Sequence, residues 1–321
     1  YGQLRYITET VAGTTPTTGN GVNLRQTGLT TKAALSTVTS NEVRADRLST
    51  GLTITDMNLD GGFNFELSGE EYDPFLESLL GSTFTHFGVA GLGAAFSMAT
   101  TATTITASVA TTGASIFTAL PNGSWIKIVP PGAATAAVKA YFADRWFKVA
   151  TTTATIITLD ASTPITGVGI IGVTAAGYAI SQSTVANGAS LARSFTLEYA
   201  MTDINQFLPF RGMRANSMDL SLDVGSIITG SFGFLGQGHD GMVGATTLPG
   251  SPVASQALEV MNSVADVGAI YENGSSVLGG SSSFIKSVKL NIANNMRAQK
   301  AIGIFGNAGI GLGELAITGS M

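Results

Sequence analysis

Apolar and polar residues alternate with period two in several separate stretches of this chain. Leu52 and Ile54 alternate with Thr53 and Thr55, and Phe63, Phe65 and Leu67 with Asn64, Glu66 and Ser68. Phe195, Leu197 and Tyr199 alternate with Thr196 and Glu198. Met218, Leu220, Leu222 and Val224 alternate with Ser217, Asp219, Ser221 and Asp223. Strand side chains point to the two faces in turn, so each stretch predicts a strand with one apolar and one polar face. Residues 228–234 read as a return strand after a bend at Gly225, and Val288, Leu290 and Ile292 form a further apolar face that ends at Asn294-Asn295. Asp60-Gly61 predicts a hairpin turn, because both residue types tolerate positive φ.

A helical spacing occurs once, at Phe75, Leu76, Leu79 and Leu80. Asp73 is placed to cap the free N–H groups, Pro74 suits the first turn, and Gly81 supplies the stop. So short a helix is marginal by itself and has to lie against a sheet. At the N-terminus, Leu4, Tyr6 and Val11 are candidate anchors and residues 14–21 a Thr/Gly/Pro/Asn loop. Such an arm needs something to tie it down, and in an assembly the tie would be a neighbouring subunit.

Between residues 87 and 191 charges almost vanish, and Ala, Thr and Gly dominate. Strands are expected over 103–107, 125–129, 146–150, 155–159 and 165–173, with turns at Asn122-Gly123, Pro130-Pro131-Gly132 and Asn187-Gly188. This spacing suggests a small inserted β domain with Trp125, Trp146 and Phe147 in its core. An aromatic platform for sugars is the other use of that trio. The linker that follows, 239–255, is rich in Gly, Thr and Pro; 255–261 suggests a helical turn and Asn273-Gly274 a hairpin.

Only 12% of the 321 residues are charged, against about 25% in ordinary soluble domains. Such a surface is either rich in small residues, and Gly numbers 40, or hidden in an assembly. The net charge is −5 and the pI near 5.0, which argues against electrostatic capture of nucleic acid. No cysteine is present, so neither a disulfide frame nor thiolate chemistry is available. Residues 1–10 carry no signal-peptide pattern. The longest apolar stretch, 167–180, is interrupted and shorter than the ~20 residues a membrane helix needs. The chain is expected to be soluble.

Against this sparse background Glu42, Arg44, Asp46 and Arg47 form a dense cluster of alternating sign. Alternating sign suits ion pairs better than a solvated run. The cluster is a candidate contact between subunits, with a polar surface loop as the other reading.

Chemistry is largely excluded. The two histidines lie far apart, and the carboxylates form no calcium-loop register. The glycine-rich segment near residue 305 lacks the βαβ context of a dinucleotide loop. No phosphate-binding loop or nucleophile-elbow pattern occurs. Asn122-Gly123-Ser124 and Asn273-Gly274-Ser275 read as turns rather than glycosylation sites. No cofactor is expected, and no enzyme.

Several segments carry a family resemblance. They are TSNEVRADR at 39–47, GGFNFELSGEEYDPFLESLLG at 61–81, and FRGMRANS at 210–217 followed by an alternating strand and TGSFGF at 229–234. The Glu-Thr-x-x-Gly-Thr-Thr-Pro opening at 9–16 and the Asn-Asn-x-Arg turn at 294–297 add to them. Together they resemble the tail tube proteins of long-tailed, non-contractile (siphovirus-type) bacteriophages, over roughly the first 85 and last 130 residues. The resemblance implies a mainly β fold, a tail-tube sandwich or barrel with one short flanking α-helix, built from 1–86 and 192–321. It places the 87–191 insert on the tube exterior. It implies stacked hexameric rings and a conduit for DNA ejection, located in the virion and made in the bacterial host cytoplasm. The implied partners are further copies of the chain, a tape measure protein, a tail terminator and distal tail or tip proteins, with no membrane insertion. It turns Asn64, Glu66, Ser217, Asp219, Ser221 and Asp223, with Asn291, into candidate lumen-facing residues. On the residues alone, the same side chains fit the solvent face of an ordinary sandwich. Another self-assembling β protein, such as a capsid decoration or surface-layer subunit, is the alternative.

Overall fold

The structure is a computed structural model. It describes residues 2–42, 51–89, 96–109, 117–118, 120–130, 132, 134–143, 145–161, 163–165, 175–176, 179–185, 187–188, 192–255, 258–264, 266–267, 271–272, 275–276 and 285–321. The chain forms two compact units, Tyr1–Thr83 with Ala186–Val267 and Phe284–Met321, and Phe84–Val185 with Gly268–Ser283.

Among the described residues, the first unit is an antiparallel β structure with one helix. Its principal elements are β1 (Gly2–Thr8), β2 (Lys32–Thr39), β3 (Leu52–Glu66), α1 (Asp73–Leu80), β4 (Phe195–Met201), β5 (Gln206–Asp223), β6 (Thr229–Gly236), β7 (Ser287–Ala293) and β8 (Ala316–Ser320). β5 runs through two sheet regions. Its first half pairs with β4, which pairs in turn with β1. Its second half pairs with β6 and with β7; β6 continues to β3, and β7 to β8. Gly212, at φ 66°, and register shifts at Phe195/Leu197 and Ala215/Ser217 mark where the long strand passes from one region to the other.

The alternation read from the sequence decides which face goes inside. Phe63, Phe65, Phe232 and Phe234 leave one face of β3 and β6 for a buried aromatic cluster. α1 closes it, with the Phe75 ring 4.8 Å from Phe195, 4.9 Å from Tyr6 and 5.3 Å from Phe63. Fully burying each such ring contributes about 1.5–3 kcal/mol. Tertiary packing of this kind is what sustains an eight-residue helix. The helix ends as expected, with Gly81 left-handed and its N–H donating to the Glu77 carbonyl.

Some expectations are corrected. Asp60-Gly61 makes no hairpin turn but lies inside the continuous β3. Gly61 has φ 96°, yet pairing continues through it to Phe234. The positive φ falls just past Asp60, where pairing with β2 ends while pairing with β6, begun at Leu59, carries on. Tyr72, not Asp73, takes the N-cap position, so Asp73 falls within the first turn, where its charge still suits the helix dipole. Val11 is 64% exposed and anchors nothing in the core, whereas Leu4 and Tyr6 are buried. The tie on the N-terminal arm is intramolecular, since all of β1 pairs with β4. The described part of 255–261 contains no helix, and Val260 bridges Ser68 instead.

Among the described residues, the second unit holds an eight-stranded antiparallel sheet and a separate two-stranded pair, Tyr271–Glu272 with Ser275–Ser276. The order of the larger sheet is Ala175–Ala176, Phe96–Thr100, Thr104–Val109, Ile156–Leu159, Trp146–Thr152, Trp125–Val129, Ala179–Thr184 and Thr85–Val89. Ile105, Phe117, Ile126, Ile128, Phe142, Phe147, Val149 and Ile157 form its core. A helix at Ala136–Ala143 was not foreseen. Thr135 offers its hydroxyl to the Val138 N–H at the start, and Val138, Tyr141 and Phe142 face the core. The expected aromatic core is only partly present. Phe147 is buried, but Trp125 is 36% and Trp146 51% exposed. Residues 125, 127, 146 and 148 share the opposite face from Ile126, Ile128, Phe147 and Val149. The 166–173 part of the expected last strand and the Asn273-Gly274 hairpin signal lie outside the described residues.

Candidate functional surfaces

The six side chains expected on a polar face are brought onto one face of one sheet. β3 contributes Asn64 and Glu66, and β5 contributes Ser217, Asp219, Ser221 and Asp223. The register aligns them into rows across five strands. Asn64 lies opposite Ser231, Ser231 opposite Asp219, Asp219 opposite Asn291, and Asn291 opposite Thr318. The next row runs Glu66, Thr229, Ser221, Lys289 and Ser320. Asn291 Nδ2 donates to Asp219 Oδ1 at 2.7 Å, and the Ser221 hydroxyl donates to Asp223 at 3.1 Å. Many of these residues line one open trough. On the reverse of the sheet lies the aromatic cluster.

The sequence reading missed Ser231, Thr229, Lys289, Thr318 and Ser320. Lys289 changes the electrostatics most, because it adds a cation to the row of Glu66, opposite Ser221, which lies between Asp219 and Asp223 along β5. The signal was available: Ser287, Lys289 and Asn291 are the polar half of the alternation whose apolar half is Val288, Leu290 and Ile292.

The outer edge of this sheet is β8, which among the described residues pairs only with β7. At the other side, β2 and the first half of β3 form a β-arm. Thr39 pairs with Leu52, Thr37 with Ile54 and Leu35 with Met57. Met57 is buried, but Leu35 (54%), Ile54 (53%) and Leu52 (70%) continue the same apolar face into the open. Lys300 fastens the root of the arm, donating to Asp56 Oδ1 at 3.0 Å and to the Met57 carbonyl at 2.8 Å. The Lys300 hydrogen bond, with one from the Met57 backbone, holds the Asp56 carboxyl below the ordinary range. The segment after Lys300 exposes Ile302, Ile304 and Phe305. Of the charged cluster beyond the arm, Glu42 is exposed, with its N–H donating to the Ser40 hydroxyl at 3.2 Å. Arg44, Asp46 and Arg47 lie outside the described residues.

Two buried carboxylates fasten chain segments rather than perform chemistry. Glu9 accepts from the Ser194 and Thr196 hydroxyls and from the Gly13 and Gly212 N–H groups, at 2.7–2.9 Å. Glu198 accepts from the Thr247 N–H and hydroxyl and the Thr246 hydroxyl, with Arg5 at 3.9 Å. His239 stacks on Phe210 at 5.1 Å between ring centres, its Nδ1 2.9 Å from the Pro209 carbonyl. Among the described residues, no group of three or more His, Asp or Glu side chains could hold a metal ion. No described helix is long and apolar enough to cross a membrane.

Paired antiparallel sheets, a polar-rowed face, an open strand edge and an exposed apolar arm describe a mainly β protein with surfaces suited to contact with other molecules. The family model described as phage tail tube protein matches residues 2–321, and the chain belongs to that family. It is therefore a structural protein of the phage tail, not an enzyme; it resides in the virion and assembles into tubes with other tail components. No curated protein matches the chain.

Proposed function

We propose that six copies of this chain close their polar-rowed sheets into a ring, and that rings stack into the tube of a long, non-contractile tail through which DNA leaves the particle. In this reading β8 of one subunit meets the next subunit, so that the edge-strand liability disappears by closure. Asn64, Glu66, Ser217, Asp219, Ser221 and Asp223 then face the lumen. A face of hydroxyls, amides and carboxylates, tempered by one lysine, gives phosphate little to hold. Residues 1–86 and 192–321, less 268–283, which belong to the second unit, build the tube, and 87–191 lie on its exterior. A tape measure protein fills the lumen before DNA does, and terminator and tip proteins cap the ends.

The observation that carries this reading is the pair of polar rows across five strands, backed by an aromatic core and ending at the open edge of β8. The apolar arm supports it too. Leu35, Ile54 and Leu52 are exposed among the described residues and would gain burial against another molecule, and the two strands of the arm flank Glu42, Arg44, Asp46 and Arg47 in sequence. These charges fix register between subunits or rings more than they stabilise them.

Negative-stain electron microscopy of the purified full chain is the direct test. Rings or tubes with a central hole are expected; flat lattices or isolated globules at high concentration overturn the reading. Arg44→Ala combined with Arg47→Ala is expected to leave folded subunits that polymerise poorly. Tubes of full length from that variant would remove the cluster from the interface.

A further inference from the structure

Both tryptophans of the chain, Trp125 and Trp146, lie on the outer face of the second unit's sheet. They sit on adjacent strands in a checkerboard with two lysines: Trp146 is paired with Lys127, and Lys148 with Trp125. Lys127 Nζ lies 5.9 Å from the centre of the Trp146 ring. Lys148 has Asp160 at 3.8 Å, both side chains about one-third exposed. Exposed Val129 extends the face along the Trp125 strand. Folding does not require indoles here, because Ile126, Ile128, Phe147 and Val149 on the opposite face already fill the core.

The chemistry of the patch is mixed in a particular way. Indole faces accept the C–H faces of pyranose rings. An ammonium beside a carboxylate supplies a donor and an acceptor for ring hydroxyls, and Lys127 adds a cation for an acidic substituent. We propose that this face binds an anionic saccharide chain, with Trp125 and Trp146 as stacking platforms and Lys127 as the partner of a carboxylate or phosphate on the sugar. The charge distribution favours this over nucleic acid. The second unit holds four cations, Lys127, Lys139, Arg145 and Lys148, against three acids, Asp144, Asp160 and Glu272. That is one net positive charge, whereas the rest of the chain carries six net negative charges. One net charge, with Asp160 beside the platform, suits an intermittently charged glycan and not a continuous phosphate backbone. This inference rests on the tryptophan–lysine face alone and does not depend on ring formation.

The intrinsic fluorescence of the full-length protein reports on this face directly, because the chain has no other tryptophan. The probes are a hyaluronan oligosaccharide, an uncharged maltooligosaccharide of similar length and a single-stranded oligodeoxynucleotide. Saturable quenching or a blue shift is expected with the acidic saccharide, at several-fold lower concentration than with the neutral one. Trp146→Ala is expected to weaken binding about tenfold, which is about 1.4 kcal/mol; isothermal titration replaces fluorescence for that variant. Lys127→Ala is expected to erase the preference for the acidic probe while the neutral one binds as before. Both substitutions are on the outer face, and an unchanged unfolding midpoint checks that the fold is intact. A full-length protein whose emission responds to neither saccharide, or which binds the oligodeoxynucleotide more tightly than the acidic saccharide, overturns the proposal.

Discussion

Glu9 and Glu198 show how much of the first unit depends on two carboxylates that never meet solvent in force. Glu198 is fully buried and joins β4 to the loop at Thr246–Leu248, while Glu9 fastens the end of β1 to β4 and β5. A buried anion is tolerable only when donors surround it. Glu198→Ala would strand the Thr247 N–H and leave Arg5 without its counter-charge. The expected loss is about 3–5 kcal/mol, the range for breaking one side of a buried charged pair, measured by urea unfolding of the subunit. Neither acid was legible as a core residue. Thr196 and Glu198 read as the polar half of an alternating strand, but β4 is covered on both faces. The partners that make this possible lie 185 residues away for Glu9–Ser194 and 49 for Glu198–Thr247. At the same scale, burial, reinforced by the Glu71 charge, pushes Tyr6 and Tyr72 up to about 12. A tyrosine ionises near pH 10 when unfolded, so the folded state binds more protons above that point. Stability is fully retained below pH 10 and falls by roughly 1.4 kcal/mol per pH unit per tyrosine between pH 10 and about 12. Alkaline unfolding followed by circular dichroism checks this. Tyr6→Phe is expected to move the transition to higher pH.

At the scale of elements, local pattern located most strands and the α1 helix, because alternation and the Asp-Pro…Gly punctuation are local signals. It misread Asp60-Gly61, because a glycine that bends a strand and a glycine that closes a hairpin look alike until the partner strands are known. Gly62 next to it has a stricter requirement. A Cβ there would stand 1.7 Å from the Phe232 carbonyl oxygen, so β3 and β6 could not keep their register. Gly62→Ala is expected to cost more than about 3 kcal/mol or to abolish soluble subunit, since backbone cannot yield as a side-chain tip can. Gly225→Ala makes a useful comparison at a site with open space around it, where the cost is only that of φ 71° for a non-glycine residue, about 1 kcal/mol. If Gly62→Ala unfolds no more easily than Gly225→Ala, the close approach of the two strands is not a constraint. The helix at Ala136–Ala143 escaped the pattern for a different reason. Its alanines are good helix formers, but they sit in a Thr- and Ala-rich region whose flanking segments are strands.

For the whole molecule, the decisive arrangement is that the polar and aromatic faces of one sheet are kept apart across five strands, while charge is scarce elsewhere. The sequence showed the polar halves of β3 and β5 but not that they would be neighbours across β6, because register is set by pairing and not by pattern. It also missed Lys289, which lowers the charge of the proposed channel face from three acids, Glu66, Asp219 and Asp223, to two net negative charges per subunit. Around a closed ring those charges would repeat at every subunit, so a small change per chain is multiplied by the symmetry. Asp219→Lys with Asp223→Lys converts the face from two net negative to two net positive charges per subunit. Both side chains are exposed, so subunit stability and tube length should be nearly unchanged. The DNA phosphates would instead meet successive rings of lysine, and release should become slow and strongly salt-dependent. The expected result is normal tubes by electron microscopy and DNA ejection slowed about tenfold or more at low salt, with partial recovery as salt is raised. Asp219→Asn with Asp223→Asn separates loss of repulsion from gain of attraction, and is expected to have a much smaller effect. Ejection at the ordinary rate through lysine-lined tubes would mean that this face does not look onto the DNA.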